Sequence, residues 1–313
     1  MQTKLVAVVG PTGTGKSDLA LHLAEQITHR GGKAEIVNAD SMQLYRGMDI
    51  GTAKLSISER RGFEHHLLDV LSVREESTAA DYQKRARPII EAIQGRGAVP
   101  ILVGGSMLYV AAALNTFDFP GRDEELRAQL EADLETQGSR GLHKRLEQLD
   151  AQAAARIDPA NGRRVVRALE IVISTGQPFA AALPDTPESW QPVLEIGLNS
   201  DRSHLTERLA ARVAKMWRHG LVDEAQALIA EGLREGKTAS RAIGYSQALG
   251  QLDGRLSEQE AQNETTMLTQ RYAKRQMSWF KRDERIHWLD YQNPNYLTAA
   301  TDLTLAWLTD QSK

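Results

Sequence analysis

Leu5-Val6-Ala7-Val8-Val9-Gly10-Pro11-Thr12-Gly13-Thr14-Gly15-Lys16-Ser17 is the stretch whose reading decides the fold. Five apolar residues, the length of a short buried strand, run into a glycine-rich turn, and a helical pattern to Ile27 follows at once. The spacing Gly-x4-Gly-Lys-Ser between a strand and a helix is that of a phosphate-binding loop. Its successive backbone N–H groups form a concave nest at a helix N-terminus, where the macrodipole favours an anion. Lys16 adds a point charge, and the Ser17 hydroxyl is a candidate ligand for Mg²⁺. A chance glycine-rich turn is the bland alternative; the flanking strand and helix weigh against it.

Outward from this loop, short apolar runs alternate with helical patterns. Strands are predicted at Glu35–Val37, His66–Leu71 and Val99–Val103, and a helix with a capping-box start runs from Thr78-x-x-Asp81 towards Ile93. Strands separated by helices imply βαβ units, so the fold class is α/β with a parallel sheet of the P-loop nucleotide-kinase kind. Around Asn115 the alternation stops. From Asp123 to about Thr175 only helical periodicity remains, through Leu126, Leu130 and Leu134, then Leu142, Leu146 and Leu149, then Val165, Val166 and Leu169. Four of the ten prolines fall between Pro178 and Pro192, and a strand-like run, Val193–Leu198, follows them. The expected organisation is a catalytic core of residues 1–115 and 191–313 interrupted by an all-helical insertion, 116–190. In the last third, helices are predicted over Asp201–His219 and from the capping box Ser257-x-x-Glu260 to about Arg282, then a short strand at His287–Leu289.

Bulk composition excludes several classes. With 313 residues, 41% hydrophobic and 25% charged, the chain is neither disordered nor membrane-like. Cysteine is absent, which removes disulfides, thiolate zinc sites and cysteine nucleophiles together. The early apolar run is too short for a signal-peptide core, and no later run approaches a bilayer span, so a cytoplasmic protein is expected. The net charge of −3 neither announces nor excludes a nucleic-acid partner, because binding depends on local patches.

The usual companions of a nucleotide-hydrolysing loop are missing. The apolar run Ile101-Leu102-Val103 ends in Gly104-Gly105-Ser106 and not in a metal-binding aspartate, and Leu67-Leu68-Asp69 is a poor substitute. A carboxylate follows the second strand instead, in Asn38-Ala39-Asp40-Ser41-Met42-Gln43-Leu44-Tyr45. In a parallel sheet, ligands lie beyond the carboxyl ends of the strands, so Asp40 shares a rim with the phosphate loop. Position alone leaves open a general base for an incoming nucleophile and a structural role, either as a helix N-cap or as support behind Lys16 or Mg²⁺.

Gly10–Ser17, the run Asp40-Ser41-Met42-Gln43-Leu44-Tyr45-Arg46-Gly47-Met48-Asp49-Ile50-Gly51-Thr52-Ala53-Lys54, and Val103-Gly104-Gly105-Ser106-Met107-Leu108-Tyr109 resemble the bacterial tRNA dimethylallyltransferases, the IPP transferase family. The likeness continues through Arg163–Glu170, Arg241–Tyr245 and Lys274–Phe280, in order along nearly the whole chain. It implies transfer of a dimethylallyl group from its diphosphate to the exocyclic amine of the adenosine 3′ of the anticodon, in tRNAs reading codons that begin with U. By this likeness Gly10, Pro11, Thr12, Gly13, Thr14, Gly15, Lys16 and Ser17 hold the diphosphate with Mg²⁺, joined by Arg212, and Asp40 is the general base. Lys16 and Ser106 complete the implied catalytic set; Ser106 stands where the family usually has Thr. The implied contacts with the tRNA anticodon stem-loop are Asp40, Ser41, Met42, Gln43, Ser106, Arg127, Arg163, Arg164, Val165, Val166 and Arg167. Arg241, Ala242, Ile243, Gly244, Tyr245, Ser246 and Arg275 extend them. A monomer without membrane attachment is expected.

Two basic faces fit such a partner. Arg208, Arg212 and Lys215 form a stripe at i, i+4 and i+7 beside an apolar one of Leu205, Leu209, Val213 and Met216. In the last long helix Arg271, Lys274, Arg275, Ser278, Lys281 and Arg282 share one side, flanked by Tyr272 and Trp279, with Ala273, Met277 and Phe280 facing the core. Basic residues beside aromatics suit phosphate contact and base stacking, although such faces taken alone are more often simply solvated. Asp123-Glu124-Glu125 suits a helix N-terminus. The pair His65-His66 points to opposite faces of a strand, with no other ligand cluster expected nearby, which favours structural roles. The rivals are a small-molecule or nucleotide kinase on the same loop, and a nucleotide-gated RNA-binding protein without covalent chemistry.

Overall fold

Strand β1 (Leu5–Val9) is buried along its whole length, as five apolar residues require when both faces of a parallel sheet are covered. The further strands are β2 (Ala34–Asn38), β3 (His65–His66), β4 (Val99–Gly104), β5 (Val193–Asn199) and β6 (Ile286–Asp290). In this computed structural model, which describes residues 3–116, 121, 123–179 and 187–310, they form a six-stranded sheet of order β3-β2-β4-β1-β5-β6. All five pairings are parallel.

Alternation along β1 divides the core. Leu5, Ala7 and Val9 join Tyr82, Ile90 and Ile93 of helix α2 (Ala79–Gly95) on one face. Val6 and Val8 join Leu19, Leu23 and Ile27 of helix α1 (Lys16–His29) on the other. Thr78 and Asp81 form the capping box that starts α2, and Ser257 and Glu260 form the one that starts the last long helix. The chain leaves β1 towards β2 on one side and leaves β4 towards β5 on the other. The crevice at that reversal, beyond the carboxyl ends of β1 and β4, is where an open α/β sheet binds its ligand.

The third strand is shorter than predicted. Pairing covers only His65 and His66, because Leu67 (φ 61°) and Asp69 (φ 58°) adopt left-handed backbone that no strand continues through. Lys54 Nζ holds the turn by donating to Asp69 Oδ1 at 2.5 Å, and a lone bridge from Tyr45 to Leu71 is what remains of the pairing. The strand predicted at His287–Leu289 is extended by one residue at each end in β6.

The chain divides into two compact units, Met1–Leu114 with Ser189–Lys313, and Asn115–Glu188. The first also holds α3 (Met107–Leu114), and the second is helical: α4 (Glu124–Leu149), α5 (Ala151–Arg156) and α6 (Gly162–Thr175). Asp123 caps α4 by accepting from Leu126 N, with Glu124 and Glu125 in the first turn. Its apolar positions mostly meet in one cluster of Leu130, Leu142, Leu146, Val165, Val166 and Leu169. Leu149 does not join it; at the end of α4 it is 51% exposed. Part of the proline-rich stretch, 180–186, lies outside the described residues. The rest of the first unit is built from α7 (Arg202–Arg218), α8 (Leu221–Ala230), α9 (Tyr245–Leu252), α10 (Glu258–Phe280) and α11 (Tyr296–Thr309).

The second unit contains a buried charge. Glu170 is fully buried, and its Oε2 lies 3.0 Å from both Arg127 NH1 and Arg167 NH1. Removing one partner of a buried ion pair costs ~3–5 kcal/mol, and the partial exposure of both arginines screens some of that. Glu170→Ala should therefore destabilise this unit by about 2–3 kcal/mol. Urea unfolding and limited proteolysis within residues 115–188 will register the change.

Candidate functional site

The phosphate loop emerges from β1 and closes at Gly15, whose left-handed backbone (φ 84°) serves as N-cap of α1 without any side-chain cap. A cap of that kind leaves the first N–H groups of the helix unpaired. None of the amides from Gly13 to Ser17 has an acceptor among the described residues. Thr14 Oγ1 and Lys16 Nζ both donate inward to the Pro11 carbonyl, at 2.9 and 2.7 Å, and tie the loop together. Gly13 leaves no room for a side chain: a Cβ there would sit 2.7 Å from Leu209 Cδ2.

The loop is held from outside as well. Arg208 Nε donates to the Gly13 carbonyl (3.1 Å), NH1 donates to Tyr291 Oη (2.6 Å), and the guanidinium lies 4.4 Å over the Tyr291 ring. On the opposite side Gln276 of α10 accepts from Thr12 N (2.9 Å) and donates to the Gly105 carbonyl (2.7 Å).

A cavity of about 570 Å³ opens in front of these groups. Its lining includes Lys16, Ser17, Asp40, Arg208, Arg212 and Lys215, so the basic stripe of α7 faces it. Burial pushes the Lys16 ammonium down to about 8; the Asp40 carboxylate raises it and Arg212 lowers it again. Burial likewise lowers Arg212, while Asp40 raises it and Arg208 lowers it. Arg212 is fixed by donating to the Thr52 carbonyl (3.3 Å), which also accepts from Gln43 Nε2 (3.2 Å).

Asp40 has a structural role that its carboxylate fills with one oxygen. Its backbone is pinned by Asn38, whose Oδ1 accepts from Asp40 N and whose Nδ2 donates to the Asp40 and Leu67 carbonyls. Oδ1 accepts from Met42 N (2.9 Å) and caps a turn, while Oδ2 has no donor among the described residues. Ser106, 7% exposed, accepts from Ser41 N (2.9 Å) and donates to Ser41 Oγ (3.0 Å), joining the β4 turn to the Asp40 loop. The Tyr272 hydroxyl belongs to the same group. Burial and then the Asp40 charge push it up to about 12, and hydrogen bonds to Ser106 and Gln276 pull it partly back. At this edge a neutral phenol and a carboxylate sit beside a cationic cleft. That arrangement can accept a proton on one side and stabilise a departing anion on the other.

Several predicted contact residues are placed differently. Val165 and Val166 are packed in the core of the helical unit, which leaves Arg163 and Arg164 as the exposed part of that run. Ala242, Gly244 and Tyr245 are buried too, and Arg241 is the exposed residue beside them. Tyr245 donates to Glu224 Oε1 at 2.5 Å, and a Cβ on Gly51 would meet its ring at 2.4 Å, so its role is packing. Arg127 is ion-paired with Glu131 and Glu170. On α10, Arg271, Lys274, Arg275 and Ser278 are exposed, as the periodicity predicts, and so are Lys281 and Arg282 just beyond its end.

His65 and His66 do have neighbours of the metal-binding type. Glu35, Glu64 and His66 come together, contrary to the expectation of no ligand cluster near the pair. Glu35 there is shared between His66 (2.7 Å) and Arg96, which supports a structural ion-pair group. Gln276 is the residue the sequence reading missed as part of the site. The available signal was an amide at an inward position among Ala273, Met277 and Phe280, one turn after Tyr272.

The chain as a whole is similar to several known proteins. The profile of the family described as IPP transferase matches residues 43–283. A protein of Thermobifida fusca named tRNA dimethylallyltransferase is 55% identical over 296 residues, 95% of this chain and 92% of that one. Its namesake in Clavibacter sepedonicus is 56% identical over 301 residues, 96% and 97% of the two chains. The crystal structure of the full-length tRNA isopentenylpyrophosphate transferase of Bacillus halodurans superposes with a TM-score of 0.71 at 38% identity, over 98% of this chain and 97% of that one. A eukaryotic dimethylallyltransferase acting on tRNA reaches 0.77 at 26% identity, over 97% of this chain and 78% of that one.

Charge in the cleft sets a pH dependence. Lys16 must be protonated to attract an anion, and its pKa is about 8 in the free protein. Affinity for inorganic pyrophosphate, measured by calorimetry relative to Lys16→Met, should therefore fall as pH rises through about 8. The advantage of Lys16 over Met should shrink about tenfold per pH unit above that point.

Proposed function

The chain belongs to the IPP transferase family and transfers a dimethylallyl group to tRNA, and we propose that dimethylallyl diphosphate is the donor. The acceptor is the exocyclic amine of the adenosine 3′-adjacent to the anticodon, in tRNAs reading codons that begin with U. The observation that carries the donor reading is the pairing of half-buried Lys16, and an amide nest with no acceptor among the described residues, with Asp40 in one cavity.

In the reaction the allylic C–O bond breaks, the bonding pair leaves with the diphosphate, and the adenine nitrogen forms the new C–N bond. The proton of that nitrogen passes to Asp40, whose Oδ2 is free to receive it. Amides 13–17, Lys16 and Arg212 stabilise the charge that develops on the leaving oxygen, where preorganised donors have their largest effect. Ser106 and Tyr272, close to Asp40, would border the adenine. A base inside a stacked loop cannot reach a cavity behind β1, so the nucleotide is extruded from the anticodon loop.

The donor atoms present fit Mg²⁺, a hard cation that prefers oxygen: the Ser17 hydroxyl, in the first turn of α1, and the Asp40 carboxylate both line the cavity. Ser17 would hold the ion together with diphosphate oxygens, and the ion would supply further neutralisation of the leaving group. The exposed arginines Arg163, Arg164, Arg241 and Arg275 would contact the anticodon stem-loop, with the chain acting as a monomer. No helix among the described residues is long and apolar enough to cross a membrane.

The test is incubation with Mg²⁺, dimethylallyl diphosphate and unmodified tRNA, followed by nucleoside mass spectrometry. A C5 prenyl unit on adenosine is expected; unchanged nucleosides would refute the assignment. Asp40→Ala should lower kcat by about 10²–10⁴-fold, the usual contribution of a general base, while pyrophosphate affinity changes little.

A further inference from the structure

The two halves of the cavity belong to different loops. The leaving-group half is the phosphate loop after β1, and the acceptor half is the Asp40 loop joined through Ser106 to the turn after β4. Transfer requires these halves to stand at one separation, since the attacked carbon lies between nitrogen and diphosphate.

One side chain spans them. The carboxamide of Gln276 is 2% exposed and makes two hydrogen bonds in opposite directions. Oε1 accepts from Thr12 N of the phosphate loop, and Nε2 donates to the carbonyl of Gly105, the residue before Ser106. The fit has no slack: a Cβ on Gly105 would lie 2.4 Å from Nε2 and 2.9 Å from the Gly10 carbonyl. One turn earlier on the same helix, the Tyr272 hydroxyl lies beside Ser106 and Gln276. The Thr12 amide is thus withdrawn from the nest offered to the anion, and its use is mechanical.

Resting on the transferase reading above, we infer that Gln276 is the positioning residue that sets the distance between the leaving-group half and the acceptor half of the site. It touches no reacting atom. Its loss leaves the amide nest with Lys16 and Arg212 able to take the donor, and the exposed basic residues able to take RNA. What is lost is the alignment between the two bound substrates.

The discriminating measurement is the single-turnover rate of prenyl transfer with enzyme in excess over tRNA and both substrates saturating. Under those conditions a partly unfolded preparation does not lower the rate constant. Gln276→Met, similar in length but without either hydrogen bond, should be about 10- to 100-fold slower, the range expected when reacting groups are misaligned by up to an ångström. The half-saturating concentrations of dimethylallyl diphosphate and tRNA should each stay within about threefold of the parent, as alignment and binding separate. Gln276→Asn keeps the amide but not the reach, and should be as slow as Gln276→Met. Gln276→Glu keeps the acceptor for Thr12 N and should fall between them and the parent. A folded Gln276→Met protein that transfers within twofold of the parent rate would overturn the inference, as would a loss confined to donor affinity. If Gln276→Met does not fold, Gln276→Asn is read by the same criteria. A parent protein that transfers no prenyl group refutes the activity itself and is distinguished from both.

Discussion

Five consecutive backbone amides with no acceptor among the described residues, Gly13 to Ser17, set the terms for everything around them. They converge at the start of α1, where the helix adds its own positive end, and burial strips the neighbouring Lys16 of much of its hydration. Such a place is favourable only for an anion. The sheet order puts it at the crevice between β1 and β4, and the chain then brings two further cations of α7, Arg208 and Arg212, to the same cavity. Asp40 is the counterweight: its carboxylate sustains the charge on Lys16 and Arg212.

Two helices couple this centre to the rest of the first unit by opposite means. Leu209 of α7 packs directly on Gly13 while Arg208 reaches round to its carbonyl and to Tyr291. Helix α10 works through polar groups: its inner face sends Tyr272 and Gln276 to the site, and its outer face carries exposed basic residues from Arg271 to Arg282. A helix with a basic outside and hydrogen-bonding residues inside joins the surface proposed for RNA to the place where a base must arrive.

How much of this was legible depended on the range of the interactions. The strand, loop and helix of residues 5–29 follow from local patterning, and so do the capping boxes at Thr78 and Ser257, because each is decided within a few residues. The third strand was overestimated because Leu67 and Asp69 take left-handed backbone, held by Lys54 from a distant loop, against their own preference. Motif resemblance named segments without separating residues exposed enough to touch RNA from those that hold them in place. Val165, Val166 and Tyr245 fall in such segments and are buried. Gln276 was hidden for the converse reason: its partners, Thr12 and Gly105, are 264 and 171 residues away in sequence.

The central claim is that this phosphate loop grips a leaving group, so that phosphorus stays behind while carbon moves. Following dimethylallyl diphosphate labelled in both phosphates through a complete reaction with tRNA tests it most directly. One intact pyrophosphate released for each dimethylallyl group gained by the RNA, with no phosphorus label on the RNA, is the predicted result. Label transferred to the RNA, or release as orthophosphate in step with turnover, would contradict it.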